Sequence, residues 1–242
     1  MRIKLVMDVP SKVLPIDYRR KIMMMIKMSL SEIDKELFHD LFSSNQMKHY
    51  TFSVFLPNAK FVQNKVYLKD KSQLLVNFST NNAEILLHFY NVFQELKNKV
   101  IDWGDETGEV KVIQVNTLST PKINEKTVIC RTLSPIICRD HNRETRKDWF
   151  FDYRDKEFQE ILRRNLKIKL TDKLGPHVVY DIDKLEIEPL AMKQTVVSHY
   201  EKKINVSLGR LKLSGEPYLL EELISNGLGS MCGSGFGLLE KI

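Results

Sequence analysis

The sequence predicts an α+β fold built from two tandem ferredoxin-like (RRM-like) βαββαβ units. Three observations predict it. Hydrophobic patterns of period two and period three-to-four follow one another in the order strand, helix, strand, strand, helix, strand. That order then recurs in the second half of the chain. At 242 residues the chain is long for one such unit and comfortable for two, each burying its own core. Residues 1–120 are expected to form the first unit and 121–242 the second, with Ser119, Thr120 and Pro121 as the linker.

In the first unit, Ile3, Leu5 and Met7 alternate with Arg2, Lys4 and Val6 as a half-buried strand. Pro15 suits a helix start, where its missing N–H costs nothing. Tyr18, Ile22, Met25, Ile26, Ser29 and Ile33 give one helix face, and a short helix over 34–42 is expected to follow. The methionines at 23–25 and 28 read as core filler. Tyr50, Phe52, Val54 and Leu56 alternate as the second strand. Residues 65–68 and 74–78 read as a hairpin joined near Asp70 and Lys71. Asn81 or Asn82 caps a helix faced by Ile85, Phe89, Phe93, Leu96 and Val100, and a strand over 108–118 closes the unit.

The second unit opens with a strand over 127–131 and a polar stretch, 139–147, expected to be a loop. Phe158, Ile161, Leu162, Asn165 and Leu166 form a helix face, and long strands are expected over 183–197 and 199–213. Pro217 opens a helix faced by Leu220, Leu223 and Ile224, which Asn226-Gly227 stops. The last expected strand covers 236–242.

Composition narrows the function classes. Hydrophobic content of 43% and charged content of 28% are those of an ordinary globular chain. No run approaches the roughly 18 apolar residues of a membrane span, and MRIKLVMDVP lacks the apolar core of a signal peptide, so a cytoplasmic location without membrane contact is expected. Cys130, Cys138 and Cys232 form no C-x-x-C pair, and no H-x-x-x-H or H-E-x-x-H spacing occurs. A disulfide framework, a metal site and a cofactor are therefore not expected. Glu221-Glu222 reads as the solvent face of a helix. The formal net charge of +6 fits a polyanionic partner.

Five of the ten glycines fall within GLGSMCGSGFG, namely Gly227, Gly229, Gly233, Gly235 and Gly237, with Ser230 and Ser234 among them. Such a cluster marks backbone in conformations closed to side chains, or backbone pressed against another surface. The loop leaves a helix and enters a strand, the reverse of a dinucleotide or P-loop turn. It reads either as a helix cap with a tight crossover, or as a loop whose N–H groups approach a phosphate backbone.

This loop, preceded by LSGEPYLLEELISN, resembles the C-terminal signature of the CRISPR-associated repeat-processing endoribonucleases, the Cas6 family of the glycine-rich-loop RAMP superfamily. TLSPIICR at 132–139, Asn165-Leu166-Lys167-Ile168-Lys169, and FHDLFSSNQMKHYTFSVF at 38–55 resemble the family in the same order. The resemblance implies metal-independent cleavage of CRISPR precursor RNA within its repeats. The ribose 2′-hydroxyl attacks the adjacent phosphorus, leaving a cyclic phosphate and a 5′-hydroxyl. That chemistry needs a base, an acid and positive charge near the phosphate. His39 matches the family's catalytic histidine, Lys48 its phosphate-stabilising cation, and His49 is the second proton-transfer candidate. Where some members carry a tyrosine on the long helix, this chain has Met24 and Met25, so a site centred on His39 with Lys48 or His49 is expected.

The implied partners are precursor and mature guide RNA, with other CRISPR-associated effector subunits and a homodimer left open. A non-catalytic RNA-binding scaffold subunit is the alternative. Expected RNA contacts are Arg19 and Arg20 on the first helix, Lys193, Lys202 and Lys203 around a hairpin, and the glycine loop with Ser230 and Ser234. Arg139, Arg143, Arg146 and Lys147 form a further cluster, offset by Asp140, Glu144 and Asp148.

Overall fold

A computed structural model describes residues 1–43, 47–69, 71–142 and 144–242. The expected turn residue Asp70 and the expected RNA contact Arg143 lie outside the described residues. The first half contains β1 (Arg2–Asp8), β2 (Val13–Pro15), α1 (Tyr18–Ile33), α2 (Lys35–Phe42), β3 (Thr51–Phe55), β4 (Lys60–Val62), β5 (Lys65–Tyr67), β6 (Gln73–Ser79), α3 (Ala83–Leu96), β7 (Val100–Asp102) and β8 (Glu109–Leu118). The second contains β9 (Thr127–Thr132), β10 (Cys138–His141), β11 (Asp148–Phe151), α4 (Phe158–Leu174), α5 (Val178–Asp183), β12 (Glu186–His199), β13 (Lys202–Ser214), α6 (Pro217–Asn226), a 3₁₀ turn (Cys232–Ser234) and β14 (Leu239–Lys241).

The sheet orders β3-β6-β1-β8-β7 and β12-β13-β9-β14 each hold the antiparallel ferredoxin-like arrangement, so the expected fold is present twice. Ile3, Leu5 and Met7 of β1 are buried with Phe52, Phe78, Phe89 and Phe93 in the first core. Leu162, Leu166, Leu170, Leu211, Leu213 and Leu220 build the second. β1 is buried on both faces, because it is a central strand and Arg2 turns toward the second half, donating to the carbonyls of Ile224 and Leu239.

Several local expectations are corrected. Pro15 lies in β2, not at a helix start, and α1 begins at Tyr18 after Asp17. Proline's fixed φ suits an edge strand as well as a helix entry. The 65–68 strand does not pair with 74–78: β5 lies between β2 and β4 in a separate small sheet. The expected loop is shorter than 139–147: residues 139–141 belong to β10, which pairs with β11, held by Asp148 accepting from Arg139 Nε at 2.7 Å and facing His141 Nδ1 at 2.8 Å. Asp183 ends α5 and does not begin the long strand. The final strand shrinks to Leu239–Lys241, since the preceding residues make the glycine crossover. The cap expectation resolves to Asn82, whose side chain accepts from the Ile85 N–H at 3.0 Å. Gly227, at φ +87°, terminates α6 as expected.

Candidate functional site

The glycine loop wedges the second half into the first. A Cβ on Gly235 would come within 2.5 Å of the Phe52 ring, and one on Gly227 within 3.2 Å of Thr51 Cβ. A Cβ on Gly233 would meet Lys48 Cβ and Cγ at 2.9 Å, and one on Gly229 the Ile137 carbonyl oxygen at 2.5 Å. Thr51 Oγ1 donates to the Phe236 carbonyl at 2.7 Å across the same junction. Gly227, Gly229, Gly235 and Gly237 are buried, and the N–H groups of Gly227, Gly235 and Gly237 donate to carbonyls of the chain itself. Close packing therefore accounts for these glycines, while Ser230, Gly233 and Ser234 lie half-exposed at the surface.

Beside the loop lies a buried polar network. Glu222 is only 2% exposed; its carboxylate accepts from Lys173 Nζ at 2.7 Å, Asn226 Nδ2 at 2.7 Å and Asn81 Nδ2 at 2.5 Å. The solvent-face reading of Glu222 is thus corrected, because partners from α4 and the β6–α3 junction enclose it. Burial pushes its carboxyl up, yet the Lys173 charge and these hydrogen bonds together hold it below the usual carboxylate range. His49 faces this network, 28% exposed, with Nδ1 at 4.0 Å from Glu222 Oε1. Burial, then the Lys173 charge, lowers its pKa against the pull of Glu222.

His39 stands on the outer face of α2, 77% exposed, with Asp40 Oδ1 at 3.9 Å from its Nδ1. Phe42 follows it by three residues and so is its neighbour on that face. The Phe42 ring carries two ammonium groups, Lys27 Nζ at 4.9 Å and Lys48 Nζ at 5.6 Å from its centroid. Burial, then the Lys27 charge, lowers the Lys48 pKa. α2 is positioned by Asp34, which accepts from the Leu37 N–H at 3.1 Å and also bonds His88 of α3. A cleft of about 340 Å³ runs along the other side of α2, lined by Glu36, Asp40, Lys48, His49, Asn82 and His88 among others. Lys48 is therefore common to the cleft, the Phe42 ring and the glycine loop.

The expected RNA contacts separate into two groups. Arg20, Lys193, Lys202 and Lys203 are exposed. Arg19 is 8% exposed, its guanidinium 4.8 Å from the Tyr18 ring centroid and 4.9 Å from that of Phe236. Its charge is thus spent on clamping the glycine loop to α1, which corrects its reading as a surface cation. Sequence reasoning missed Lys27, Phe42 and Lys173 as members of this region and read Glu222 as solvent-facing; Lys27 joins it only through the Phe42 ring of α2, a contact no spacing within α1 signals. Among the described residues, no group of three His, Cys, Asp or Glu side chains is placed to hold a metal ion.

Two ferredoxin-like units, the second carrying a glycine-rich loop packed into the first, define the class as a tandem ferredoxin-like protein. The family model described as CRISPR associated protein Cas6, C-terminal, matches residues 118–241, and the chain belongs to the Cas6 family. Among solved structures, the product of a Cas6-related gene from Pyrococcus furiosus is 23% identical with a TM-score of 0.84, covering 100% of this chain and 98% of its own. A RAMP protein described as binding different RNA substrates is 22% identical with a TM-score of 0.83, covering 100% and 99%. A Thermus thermophilus Cas6 in a product complex is 14% identical with a TM-score of 0.72, covering 100% and 99%. At these identities the likeness is one of fold. No curated protein sequence matches the chain significantly.

Proposed function

We propose that this chain is a metal-independent endoribonuclease that cuts CRISPR precursor RNA within each repeat and releases a cyclic phosphate and a 5′-hydroxyl. Family membership supports repeat-RNA processing as the broad role. The finer reading rests on one observation: Lys48 is held at its root by Gly233 and lays its ammonium over Phe42, the helical neighbour of His39. In this reading the scissile phosphodiester is held between the exposed His39 imidazole and the Lys27 and Lys48 ammonium groups over Phe42.

His39 carries the proton transfer in this reading, since imidazole is the side chain most often used as a general acid or base and the ring is open to a substrate. Lys48, assisted by Lys27, stabilises charge growing on the phosphorane oxygens. His49 acts as a positioning residue, because its Nδ1 faces the Glu222–Lys173 network. Arg20, Lys193, Lys202, Lys203 and the half-exposed residues Ser230, Gly233 and Ser234 supply phosphate contacts.

The test is incubation with cognate repeat RNA in EDTA. Cleavage that persists there, and that a 2′-deoxy substitution at the scissile nucleotide abolishes, supports the mechanism; dependence on added magnesium excludes it. The scaffold alternative draws on the exposure of His39, whose ring, among the described residues, has only Asp40 as an ion-pair neighbour, at 3.9 Å. Tight repeat binding without cutting by the wild type would establish that alternative.

A further inference from the structure

Trp149 is 66% exposed, the most exposed large hydrophobic side chain among the described residues. It lies on β11 directly opposite Asp140 of β10. Opposed residues of an antiparallel pair project to one face. Asp140 Oδ1 accepts from Arg164 Nη2 at 2.7 Å, so the indole and a guanidinium share that face. The next residue, Phe150, turns to the other face and packs against the cluster containing Phe236, which fixes the hairpin on the body of the protein. Phe150 therefore serves the packing, and Trp149 is left for solvent.

The hairpin is also tied to the glycine loop. Arg164 Nη2 donates to Asn165 Oδ1 at 3.3 Å, and Asn165 Nδ2 donates to the Arg139 carbonyl at 2.7 Å and to Ser230 Oγ at 3.3 Å. The Ser230 N–H donates to the Ile137 carbonyl, at the root of β10, at 2.8 Å. A hydrogen-bonded strip thus leads from the half-exposed part of the loop to Asp140, the cross-strand partner of Trp149.

We propose that Trp149, flanked by Arg164, is a stacking site for one unpaired base of the RNA that passes the glycine loop. The inference rests on the reading of this chain as a repeat-RNA protein and adds to it a site and a strandedness. A base in a duplex offers no free face, whereas an unpaired base can lie on an aromatic ring with a cation at its edge. The exposed cations Arg146 and Lys147, just before Trp149 in the chain, suit the neighbouring phosphates. A single exposed ring is also too small an apolar patch for a stable protein interface.

The test compares wild type, Trp149→Ala and Trp149→Phe for binding to an unpaired repeat oligonucleotide and to a blunt RNA duplex at one salt concentration. Trp149→Ala should weaken unpaired RNA by about tenfold, Trp149→Phe should retain most of the affinity, and duplex binding should be unchanged. Affinity of Trp149→Ala for unpaired RNA within twofold of wild type overturns the stacking site and leaves the parent reading intact. Equal loss on both RNAs, or a Trp149-dependent contact to another CRISPR-associated subunit with RNA affinity unchanged, also overturns it. Failure of the wild type to bind either RNA overturns the parent reading and the stacking site together.

Discussion

Lys48 and Gly233 meet so closely that a methyl group on residue 233 would sit 2.9 Å from both Lys48 Cβ and Cγ. These atoms form the root of the lysine side chain, so an intruding group would redirect the whole of it. Gly233 is also free of the positive φ that constrains its neighbours. Gly233→Ala is therefore expected to slow cleavage by about 10- to 100-fold through misplacement of the cation, with a small change in stability. Single-turnover rates beside a thermal melt check this.

His39→Ala is expected to reduce the cleavage rate by about 10²- to 10⁴-fold, the usual range for a positioned acid or base. RNA affinity should stay near wild type, because one exposed imidazole contributes little to phosphate binding. Binding and single-turnover assays on the same RNA separate the two effects.

Removing Glu222 leaves the half-buried Lys173 ammonium without its counter-charge and the Asn81 and Asn226 amides without their acceptor. Glu222→Ala is expected to cost about 3 kcal/mol, a fall in Tm of roughly 6–12 °C for a chain of this size. Differential scanning calorimetry reads it.

His49 and Glu222 both have folded pKa values below their ordinary ones. For each, the unfolded chain takes up protons first as pH falls, so stability present at neutral pH declines in acid. The His49 share is lost on going below its ordinary value of 6.5 toward its lowered folded value, and the Glu222 share below 4.5. Urea midpoints at pH 7.5 and pH 5.5 should differ more in the wild type than in His49→Gln.

Gly237 combines φ +73° with the Leu228 carbonyl oxygen 2.1 Å from where a Cβ would sit. Gly108 has φ +60° but open space around it. Gly237→Ala is expected to cost about 3 kcal/mol, and Gly108→Ala about 1 kcal/mol. Equal melting shifts for the two variants would refute the argument from packing.

The repeated fold was legible because it rests on local signals. The three-to-four spacing of Phe89, Phe93 and Leu96 fixes α3, Pro217 opens α6, and Gly227 closes it. Partner choice was less legible. β5 has the alternation of a hairpin strand, and nothing within three residues says that β2 and not β6 will pair with it. Glu222 follows another glutamate on a helix, a solvent pattern, and its burial depends on Asn81, 141 residues away. Arg19 sits in a run of cations, and only the arrival of Phe236 takes it out of water. Within the candidate site, the resemblance named His39, Lys48 and the glycine loop. It did not carry Lys27 or Phe42, whose roles come from side chains meeting across α1 and α2.

The Thr51 hydroxyl finds its acceptor at Phe236, 185 residues further along the chain. During synthesis the first half therefore leaves the ribosome with a gap beside β3 that the glycine loop fills only after most of the second half has been made. Whatever this junction does must wait until residue 236 has been made, and a nascent chain stalled earlier in the second half would hold the first half's sheet without the plug that completes it.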